Sequence, residues 1–358
     1  SVSITLLFLL TSAPLPSRAD CIHHELNVRL SPDEHVMTVT DSITLPPTVP
    51  SELRFLLHAG LKPLSKTRGI TIVREEEDFG PMPVESFRIK LLPGLRTFTI
   101  EYSGSIYHPI ESIGREQARG VKETPGLISG EGAFLSGSTL WYPRFGEEMM
   151  TFALDVILPQ GWDAVSQGER VFHEKKDVTR VRWESLEPQN EIYLVAAKFA
   201  EYVKPAGNVT AMVFLRTPDE GLADKYLDAT ESYIEMYDKL IGPYPYKKFA
   251  LVENFWETGF GMPSFTLLGS QVIRLPFIIN SSYPHEILHN WWGNSVFPDY
   301  DKGNWSEGLT AYLADHLMKE QQGEGAEYRL ATLQKYADYV IGGRDFPLTQ
   351  FRSRHSSS

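Results

Sequence analysis

Hydrophobic and polar residues alternate along most of the first half of the chain. The two-residue period is clearest in four segments, at 26–30, 87–91, 98–102 and 152–158. Such alternation is typical of strands that bury one face, and segments rich in proline and glycine separate the runs. The pattern therefore predicts an N-terminal domain over residues 21–210, built as an antiparallel β-sandwich or a saddle-shaped sheet.

The periodicity changes near residue 216. Thr217-Pro218-Asp219-Glu220 has the features of a helix start, with Thr217 as the expected cap, and Gly242-Pro243 should end that helix. A strand and three further helical patterns follow, at 249–252, 283–293, 307–321 and 325–340. We therefore expect an α+β multidomain chain. Its second, α-rich domain is expected to cover residues 211–358 and to be incomplete at its C-terminal end.

The first twenty residues differ from the rest of the chain. An apolar run at 4–10 is followed by small and turn-forming residues, and Ser17-Arg18-Ala19 offers a small-x-small cleavage site. This order is typical of a secretory signal peptide. We therefore expect residues 1–20 to be a signal-peptide remnant and the protein to be exported, periplasmic or extracellular, and soluble. The alternative is a buried strand of the first domain.

Composition narrows the possible partners and metal ligands. The chain has 358 residues and a formal net charge of −12, which argues against nucleic acid or an anionic membrane surface as a partner. Beyond the first residues, no segment approaches the length of a membrane span. A single cysteine, Cys21, excludes a thiolate cluster, so a bound metal must be held by His, Asp or Glu. The oligomeric state is left open.

The strongest chemical signal is His285-Glu286-Ile287-Leu288-His289, on a helix that Pro284 is expected to open. Two His residues four positions apart project from one face of a helix and can bind one metal ion. Glu286 lies beside the first of them and can accept a proton from water bound to that ion, which makes it the candidate general base. The alternative is an amphipathic helix whose two His happen to share a face.

Glu307 completes the candidate site from the start of the next predicted helix. Three protein ligands leave a fourth position for water, as a catalytic zinc site requires. Zinc lowers the pKa of its bound water and polarises a substrate carbonyl. We therefore expect one zinc ion per chain, bound by His285, His289 and Glu307. The alternative for Glu307 is an exposed acid that complements the dipole of its helix.

These residues carry a resemblance to a known family. The zinc motif followed by Asn290-Trp291-Trp292-Gly293-Asn294, and then by Trp305-x-Glu307-Gly308, resembles the aminopeptidase-N-like gluzincin zinc metallopeptidases. The resemblance extends to the segment 242–248 and implies a β-rich domain before a thermolysin-like catalytic domain. It also implies a peptide substrate, the same three zinc ligands and Glu286 as general base. The loop before Glu307 is one residue shorter than in the family, which is a mild change.

A second departure concerns substrate binding. The family carries a Gly-x-Met-Glu-Asn segment whose backbone pairs with the substrate as an edge strand and whose Glu holds the free amino terminus. Here Pro263 and Ser264 stand where the Glu and Asn would be. The resemblance implies four substrate-binding residues, Gly259, Phe260, Gly261 and Met262. Glu257 or Glu253 is the alternative carboxylate for the ammonium, and a purely structural hairpin over 253–265 is the competing interpretation.

Four further expectations concern the surroundings of the site. Tyr336 and Tyr339 are expected to pack in the core, and the family's transition-state tyrosine is expected beyond Ser358. Asp315 or Asn290 is the candidate that orients a ligand His. The aromatic run at 141–145 is a candidate lining of a substrate cleft between the domains.

The sequence therefore predicts a zinc-dependent metallopeptidase that acts on peptides, as an aminopeptidase, through zinc-activated water and Glu286. Because Pro263 and Ser264 remove a carboxylate, an endopeptidase of the same fold and a catalytically weak peptide-binding relative remain as alternatives. A hydrolase of small molecules, such as an epoxide hydrolase, is a third possibility that rests on fold analogy alone.

Overall fold

The computed structural model of the chain describes residues 20–80, 83–113, 121–146, 149–342 and 345–351. The predicted signal peptide at 1–20 lies outside these residues except for Asp20, so export stays a prediction from the sequence. Within the described ranges, none of the helices combines the length and the apolar character that crossing a bilayer would need.

The first part of the chain is built from strands. In chain order they are β1 (Ile22–Ser31), β2 (Val36–Thr44), β3 (Glu52–His58), β4 (Leu64–Ser65), β5 (Thr71–Glu75), β6 (Val84–Lys90), β7 (Thr97–Ser105), β8 (Glu111–Ile113), β9 (Val121–Glu123), β10 (Leu127–Ser129), β11 (Gly132–Leu135), β12 (Met150–Pro159), β13 (Asp163–Val165), β14 (Glu169–Lys175), β15 (Val178–Gln189) and β16 (Leu194–Ala197). They form a seven-stranded sheet in the order β14-β15-β12-β1-β2-β7-β4, a four-stranded sheet β10-β11-β16-β13, a three-stranded sheet β3-β6-β5 and the pair β8-β9.

The predicted alternation is confirmed in these strands, since Leu26, Val28 and Leu30 of β1 are at most 2% exposed. One expectation is wrong: the largest sheet is not wholly antiparallel, because β1 pairs parallel with β12, with Ile22 opposite Met150. The long stretch of chain between β1 and β12 lets it return in the same direction, which a tight hairpin does not allow. Alternation tells which face a strand buries but not which strand lies beside it.

The second part of the chain combines one sheet with helices. Its elements are β17 (Ala200–Ala206), β18 (Val209–Leu215), α1 (Glu220–Leu240), β19 (Lys248–Asn254), β20 (Gly259–Met262), β21 (Phe265–Gly269), α2 (Ser282–Leu288), α3 (Trp305–Thr310), α4 (Leu317–Gln321) and α5 (Gly325–Tyr339), with a π-helical segment, Ala311–His316, between α3 and α4. The sheet order is β17-β18-β19-β21-β20. The boundary predicted at 210/211 falls inside β18, because β17 and β18 already belong to this sheet.

This second sheet is covered on both faces, which fixes the position of the site. Ala250 and Val252 of β19 pack into the core of the β domain, whereas Phe249 and Leu251 pack against the core that includes α1 and α2. A strand buried on both faces is apolar at successive positions, as β19 is here. The sheet therefore holds the helices against the β domain.

Two helix ends differ from the prediction. Asp219, not Thr217, caps α1, and its side chain accepts a hydrogen bond from the amide of Leu222 at 3.0 Å. Asp is among the strongest N-cap residues, and here it is the residue directly before the first turn. The zinc-motif helix α2 ends at Leu288, earlier than predicted, and the chain then turns through Gly293, whose φ is 104°. A positive φ of this kind suits glycine.

Candidate active site

The three predicted metal ligands lie together. His285 and His289 project from α2 one turn apart, and their Nε2 atoms are 3.1 Å from each other. The carboxylate of Glu307, in the first turn of α3, lies 3.4 Å from His289 Nε2 and 3.8 Å from His285 Nε2. One imidazole nitrogen from each His and one carboxylate therefore converge on a single point.

The outer nitrogen of each imidazole is bound away from this point. His285 Nδ1 lies 3.0 Å from the carboxylate of Asp315, and His289 Nδ1 donates to the carbonyl of Trp292 at 3.2 Å. Both contacts favour a proton on Nδ1, which leaves the Nε2 lone pairs facing the shared point. Of the two candidates for an orienting residue, Asp315 contacts a ligand His and Asn290 bonds only backbone groups.

Asp315 reaches His285 from the π-helical segment that follows α3. A π-helical turn inserts an extra residue into the helical ladder, and such turns occur frequently at functional sites. Glu307 and Asp315 thus approach the same imidazole from one continuous helical stretch, 305–321, where a single helix was predicted over 307–321. The sequence pattern gave no sign of the π-helical turn within it.

Negative charge dominates around the ligands. Desolvation by burial raises the pKa of Glu286 above its ordinary value, because it outweighs the attraction of His285 and His289. For His289, desolvation lowers the pKa, but the hydrogen bond to Glu307 and the charges of Glu307 and Glu286 outweigh it and raise the pKa overall. The site therefore favours a positive charge among these side chains.

The donor set fits zinc. Two neutral imidazole nitrogens and one carboxylate are ligands that zinc takes in catalytic sites, with one coordination position left open. The contacts of Asp315 and Trp292 supply the outer hydrogen bonds that usually hold metal-binding His in place. The residues present are therefore those that the predicted zinc ion requires.

The predicted substrate-binding segment forms the edge of the second sheet beside Glu286. Among the described strands, β20 pairs only with β21, so its other edge can accept an added strand. Gly261 lies against the candidate base, since a Cβ at this position would be 2.2 Å from Glu286 Oε2. The missing side chain thus lets the backbone of the edge strand approach Glu286 directly. Gly259, Phe260 and Met262 are the remaining residues of this strand.

Pro263 and Ser264 form the tight turn between β20 and β21. Met262 pairs directly with Phe265, and Ser264 has a φ of 66°. A proline followed by a residue with positive φ is the pattern of a type II turn. The segment is therefore a structural hairpin and an exposed sheet edge at once, so the two interpretations of 253–265 are compatible.

The turn is tied to the zinc-motif helix through its backbone. The amide of Ser264 donates to Asn290 Oδ1 at 2.6 Å, and Asn290 Nδ2 in turn donates to the carbonyl of Glu286 at 3.2 Å. On the other side, the carbonyl of Ser264 accepts from Lys248 Nζ at 3.1 Å. Lys248 is 2% exposed, and burial holds its pKa well below the usual range. These contacts fix the edge strand relative to Glu286.

The two carboxylates that were considered for the substrate ammonium lie elsewhere. Glu253 is buried, and it binds the guanidinium of Arg274 at 2.8 Å and the amide of Arg216 at 2.7 Å. Glu257 is exposed and accepts from the amide of Gln271 at 3.0 Å. Neither lines the cavity beside β20. The structure therefore does not bring Glu257, the predicted substrate-binding acid, into the site.

A cavity of about 580 Å³ opens beside β20, between this strand and the β domain. Gly261 and Met262 line one side of it, and Glu191 lies in its wall. Of the aromatic run at 141–145, Trp141 and Tyr142 are fully buried core residues, and only Arg144 lines the cavity. Sequence reasoning missed Glu191, because nothing in its local sequence distinguishes it from other acids at the end of a strand.

Another group of ligand-type side chains lies on β13, β14 and β17. Asp163, His173 and Glu201 also have candidate ligand atoms within 4.8 Å of one another. Cations already contact both carboxylates: Lys175 Nζ lies 2.8 Å from Asp163, and Arg170 Nη2 lies 2.5 Å from Glu201. This group is therefore an ion-pair network.

The two tyrosines on α5 do not pack in the core. Tyr336 is 53% exposed and Tyr339 is 72% exposed, so that expectation was wrong. Gly325 is the one buried residue of α5. Helical periodicity predicted the helix correctly but not whether a partner covers it.

Comparison with known proteins supports the fold. No protein-family model matches the chain. An M1 zinc metallopeptidase from Deinococcus radiodurans aligns with a TM-score of 0.65 and 16% identity, over 94% of this chain and 81% of that chain. A mutant of that protein bound to a Tyr-Ser-Ala substrate gives 0.64 and 16%, over 91% and 79%. Yeast LTA4 hydrolase gives 0.65 and 16%, over 92% of this chain and 54% of that chain.

Sequence similarity to curated proteins is more local. Human aminopeptidase RNPEPL1 is 26% identical over an alignment of 144 residues that covers 36% of this chain and 19% of that protein. The match thus spans about a fifth of the curated relative's length. Together with the solved structures it confirms the predicted resemblance at the level of the fold. The chain shares the fold of the M1 zinc metallopeptidases.

Proposed function

We propose that this chain is a zinc-dependent metallopeptidase that hydrolyses peptide bonds at the amino end of its substrate. One observation carries the proposal. His285, His289 and Glu307 converge on one point, and Glu286, on which the charges of all three act, lies against the edge strand at Gly261. A metal site, a base and a peptide-pairing edge are the three parts that peptide hydrolysis needs at one place.

Zinc at His285, His289 and Glu307 would supply a Lewis acid that polarises the scissile carbonyl and lowers the pKa of water. Asp315 and the carbonyl of Trp292 keep the two imidazoles in the tautomer that binds such an ion. These contacts fix the ligand geometry before the ion arrives, which reduces the cost of binding.

Glu286 is the proposed general base. It accepts the proton of the attacking water and donates it to the departing amine nitrogen when the peptide bond breaks. Desolvation by burial raises the pKa of its carboxyl above the ordinary value, which strengthens it as a proton acceptor. Glu286 is not itself one of the converging ligands, so its carboxylate is free for this role.

The edge strand β20 positions the substrate. A peptide that pairs with its open edge runs along the backbone of Gly259–Met262, and Gly261 brings that backbone next to Glu286. Main-chain pairing orients the peptide without selecting a side chain. The hydrogen bonds that join Ser264, Asn290 and Glu286 keep this strand and the base in register.

The proposal is tested by metal analysis and by two substrates, a leucine anilide with a free amino group and an internally quenched peptide blocked at its amino end. We expect stoichiometric zinc and hydrolysis of the anilide. Glu286→Gln should retain zinc but lose activity by a factor of about 10²–10⁴. The matched control is Glu235→Gln, which changes an exposed acid on α1 that is paired with Lys239. This substitution should change neither the zinc content nor the activity.

Each outcome discriminates between the candidate functions. Cleavage of the blocked peptide in preference to the anilide would replace the aminopeptidase with an endopeptidase. Peptide binding without hydrolysis of either substrate would identify a catalytically weak relative. Absence of zinc, or full activity in Glu286→Gln, would contradict the proposed mechanism altogether.

A further inference from the structure

The aminopeptidase proposal leaves the substrate's ammonium group without a partner. Pro263 and Ser264 carry no charge, and Glu253 and Glu257 are bound elsewhere. An ammonium that enters a partly desolvated site needs a counter-charge there. Among the described residues that line the cavity beside β20, one is an acid, Glu191.

Glu191 is held rigidly in the wall of this cavity. One carboxylate oxygen accepts from the amide of Gly137 at 2.6 Å, and the other accepts from the hydroxyl of Tyr193 at 2.6 Å. Gly137 leaves the space that Glu191 fills, since a Cβ on this glycine would be 2.6 Å from Glu191 Cβ and 2.7 Å from Glu191 Oε2. Two donors leave part of the carboxylate's acceptor capacity open.

The rest of the cavity wall suits a cation with an apolar body. Phe134, Trp256 and Phe260 line it, with ring centroids 5.3 Å apart for Phe134 and Trp256 and 6.1 Å apart for Phe134 and Phe260. Aromatic faces attract cations. Arg144 also lines the cavity, and its guanidinium donates to the carbonyls of Gly146 and Asn190.

The wall of the cavity includes a residue that also borders the candidate base. Gly261 lines the cavity, and it also lies in direct contact with Glu286. A peptide paired with β20 therefore has its scissile bond near Glu286 while one end or one side chain enters the cavity. Glu191 belongs to the β domain, between β15 and β16, so the two parts of the chain would build this subsite together.

We propose that Glu191 binds an ammonium group of the substrate and determines its specificity. This inference rests on the proposed function and deepens it. The α-amino group of the peptide and the side chain of a basic residue offer the same chemistry. The test therefore uses three anilides: leucine with a free amino group, Nα-acetyl-leucine and Nα-acetyl-lysine.

The central variant is Glu191→Gln, which keeps an oxygen for the Gly137 amide but removes the charge. We expect kcat/KM to fall about 10- to 100-fold, mainly through KM, for the substrate that carries the recognised ammonium. Hydrolysis of Nα-acetyl-leucine anilide should stay unchanged. Loss confined to the free leucine anilide assigns the α-amino group, and loss confined to the lysine derivative assigns the side chain. Glu187→Gln, an exposed acid earlier on β15 and outside the cavity, is the matched control.

Binding measurements separate this inference from the proposed function. In the zinc-loaded Glu286→Gln protein, calorimetry compares a leucyl tripeptide with a free or an acetylated amino terminus, and an acetylated lysyl tripeptide. We expect a preference for an ammonium-bearing peptide that Glu191→Gln removes, and thermal unfolding checks that the variant is folded. Equal affinities for all three peptides, or equal losses for all three anilides, would overturn the role of Glu191. A preference without turnover in the parent protein would contradict the peptidase proposal and leave the subsite standing.

Discussion

Among the residues that the structure describes, two groups of three His, Asp or Glu side chains have candidate ligand atoms within 4.8 Å of one another, and only one group has the properties of a metal site. At His285, His289 and Glu307, two further carboxylates act on the imidazoles: Asp315 lies 3.0 Å from His285 Nδ1, and the charge of Glu286 raises the pKa of His289. At Asp163, His173 and Glu201, cationic side chains contact both acids. Ligand atoms that lie close together are therefore not sufficient to make a metal site. The charges around them decide whether a metal cation is needed to balance the group.

The hydrogen bonds of the imidazoles also differ between the two groups. In the candidate metal site, both Nδ1 atoms are bound outward, which leaves two Nε2 lone pairs facing one point. His173 has both nitrogens directed at carboxylates instead, with Nε2 3.0 Å from Asp163 and Nδ1 3.8 Å from Glu201. The carboxylates that this imidazole faces are already contacted by Lys175 and Arg170. His173 stabilises the fold as part of an ion-pair network.

The largest effect on zinc content is expected when one acid in each of the two groups is changed. Glu307→Gln should lose stoichiometric zinc and all zinc-dependent activity, because two imidazoles alone bind the ion weakly. Glu201→Gln should retain both, since its partner is Arg170. Metal analysis after dialysis measures the difference. Loss of zinc from Glu201→Gln would show that Asp163, His173 and Glu201 also form a metal site.

A smaller effect, on zinc affinity, tests the role of the hydrogen bonds to the Nδ1 atoms of the ligand histidines. Asp315→Asn should weaken zinc affinity about 10- to 100-fold, because an amide holds the His285 tautomer less firmly than a carboxylate does. Competition with a chelator measures the affinity, and Asp224→Asn, an exposed change on α1, is the control. If Asp315→Asn binds zinc as tightly as the parent, Asp315 does not orient the ligand.

Substitution of Asp163 is expected to have the smallest effect on activity. It should nevertheless lower the stability of the fold measurably. Desolvation raises the pKa of its carboxyl, but hydrogen bonds from His173 and Lys175 outweigh this and leave the pKa lowered. Asp163→Asn should therefore cost about 1–3 kcal/mol of unfolding free energy at neutral pH and leave zinc content unchanged.

The pH dependence of this cost has a definite sign. A lowered carboxyl pKa stabilises the fold fully above the ordinary value of 3.8, and the stabilisation is lost as the pH falls through the lower folded value. Denaturant unfolding of parent and variant should give the same difference at about pH 7 and about pH 5, and a smaller one at about pH 3. A difference that grows on acidification would contradict the ion-pair interpretation.

Much of the fold followed from local patterns. The buried positions of β1, the helix α1 and the helix α5 were predicted because a period of two or of about 3.6 residues is written directly in the sequence. The parallel pairing of β1 with β12 was not predictable, because it depends on a partner far along the chain. The exposure of Tyr339 was missed for the same reason: periodicity does not say what covers a helix.

The sequence by itself brought the candidate residues His285, Glu286 and His289 together, because their spacing on one helical turn fixes which way each side chain faces. Glu307 followed from its place at the start of the next helix. Only the tertiary structure decided that Asp315 and not Asn290 orients His285, and that Glu257 lies outside the site while Glu191 lines the cavity beside β20. These residues meet through the packing of separate elements, and contacts across such distances in the chain leave no local signature in the sequence.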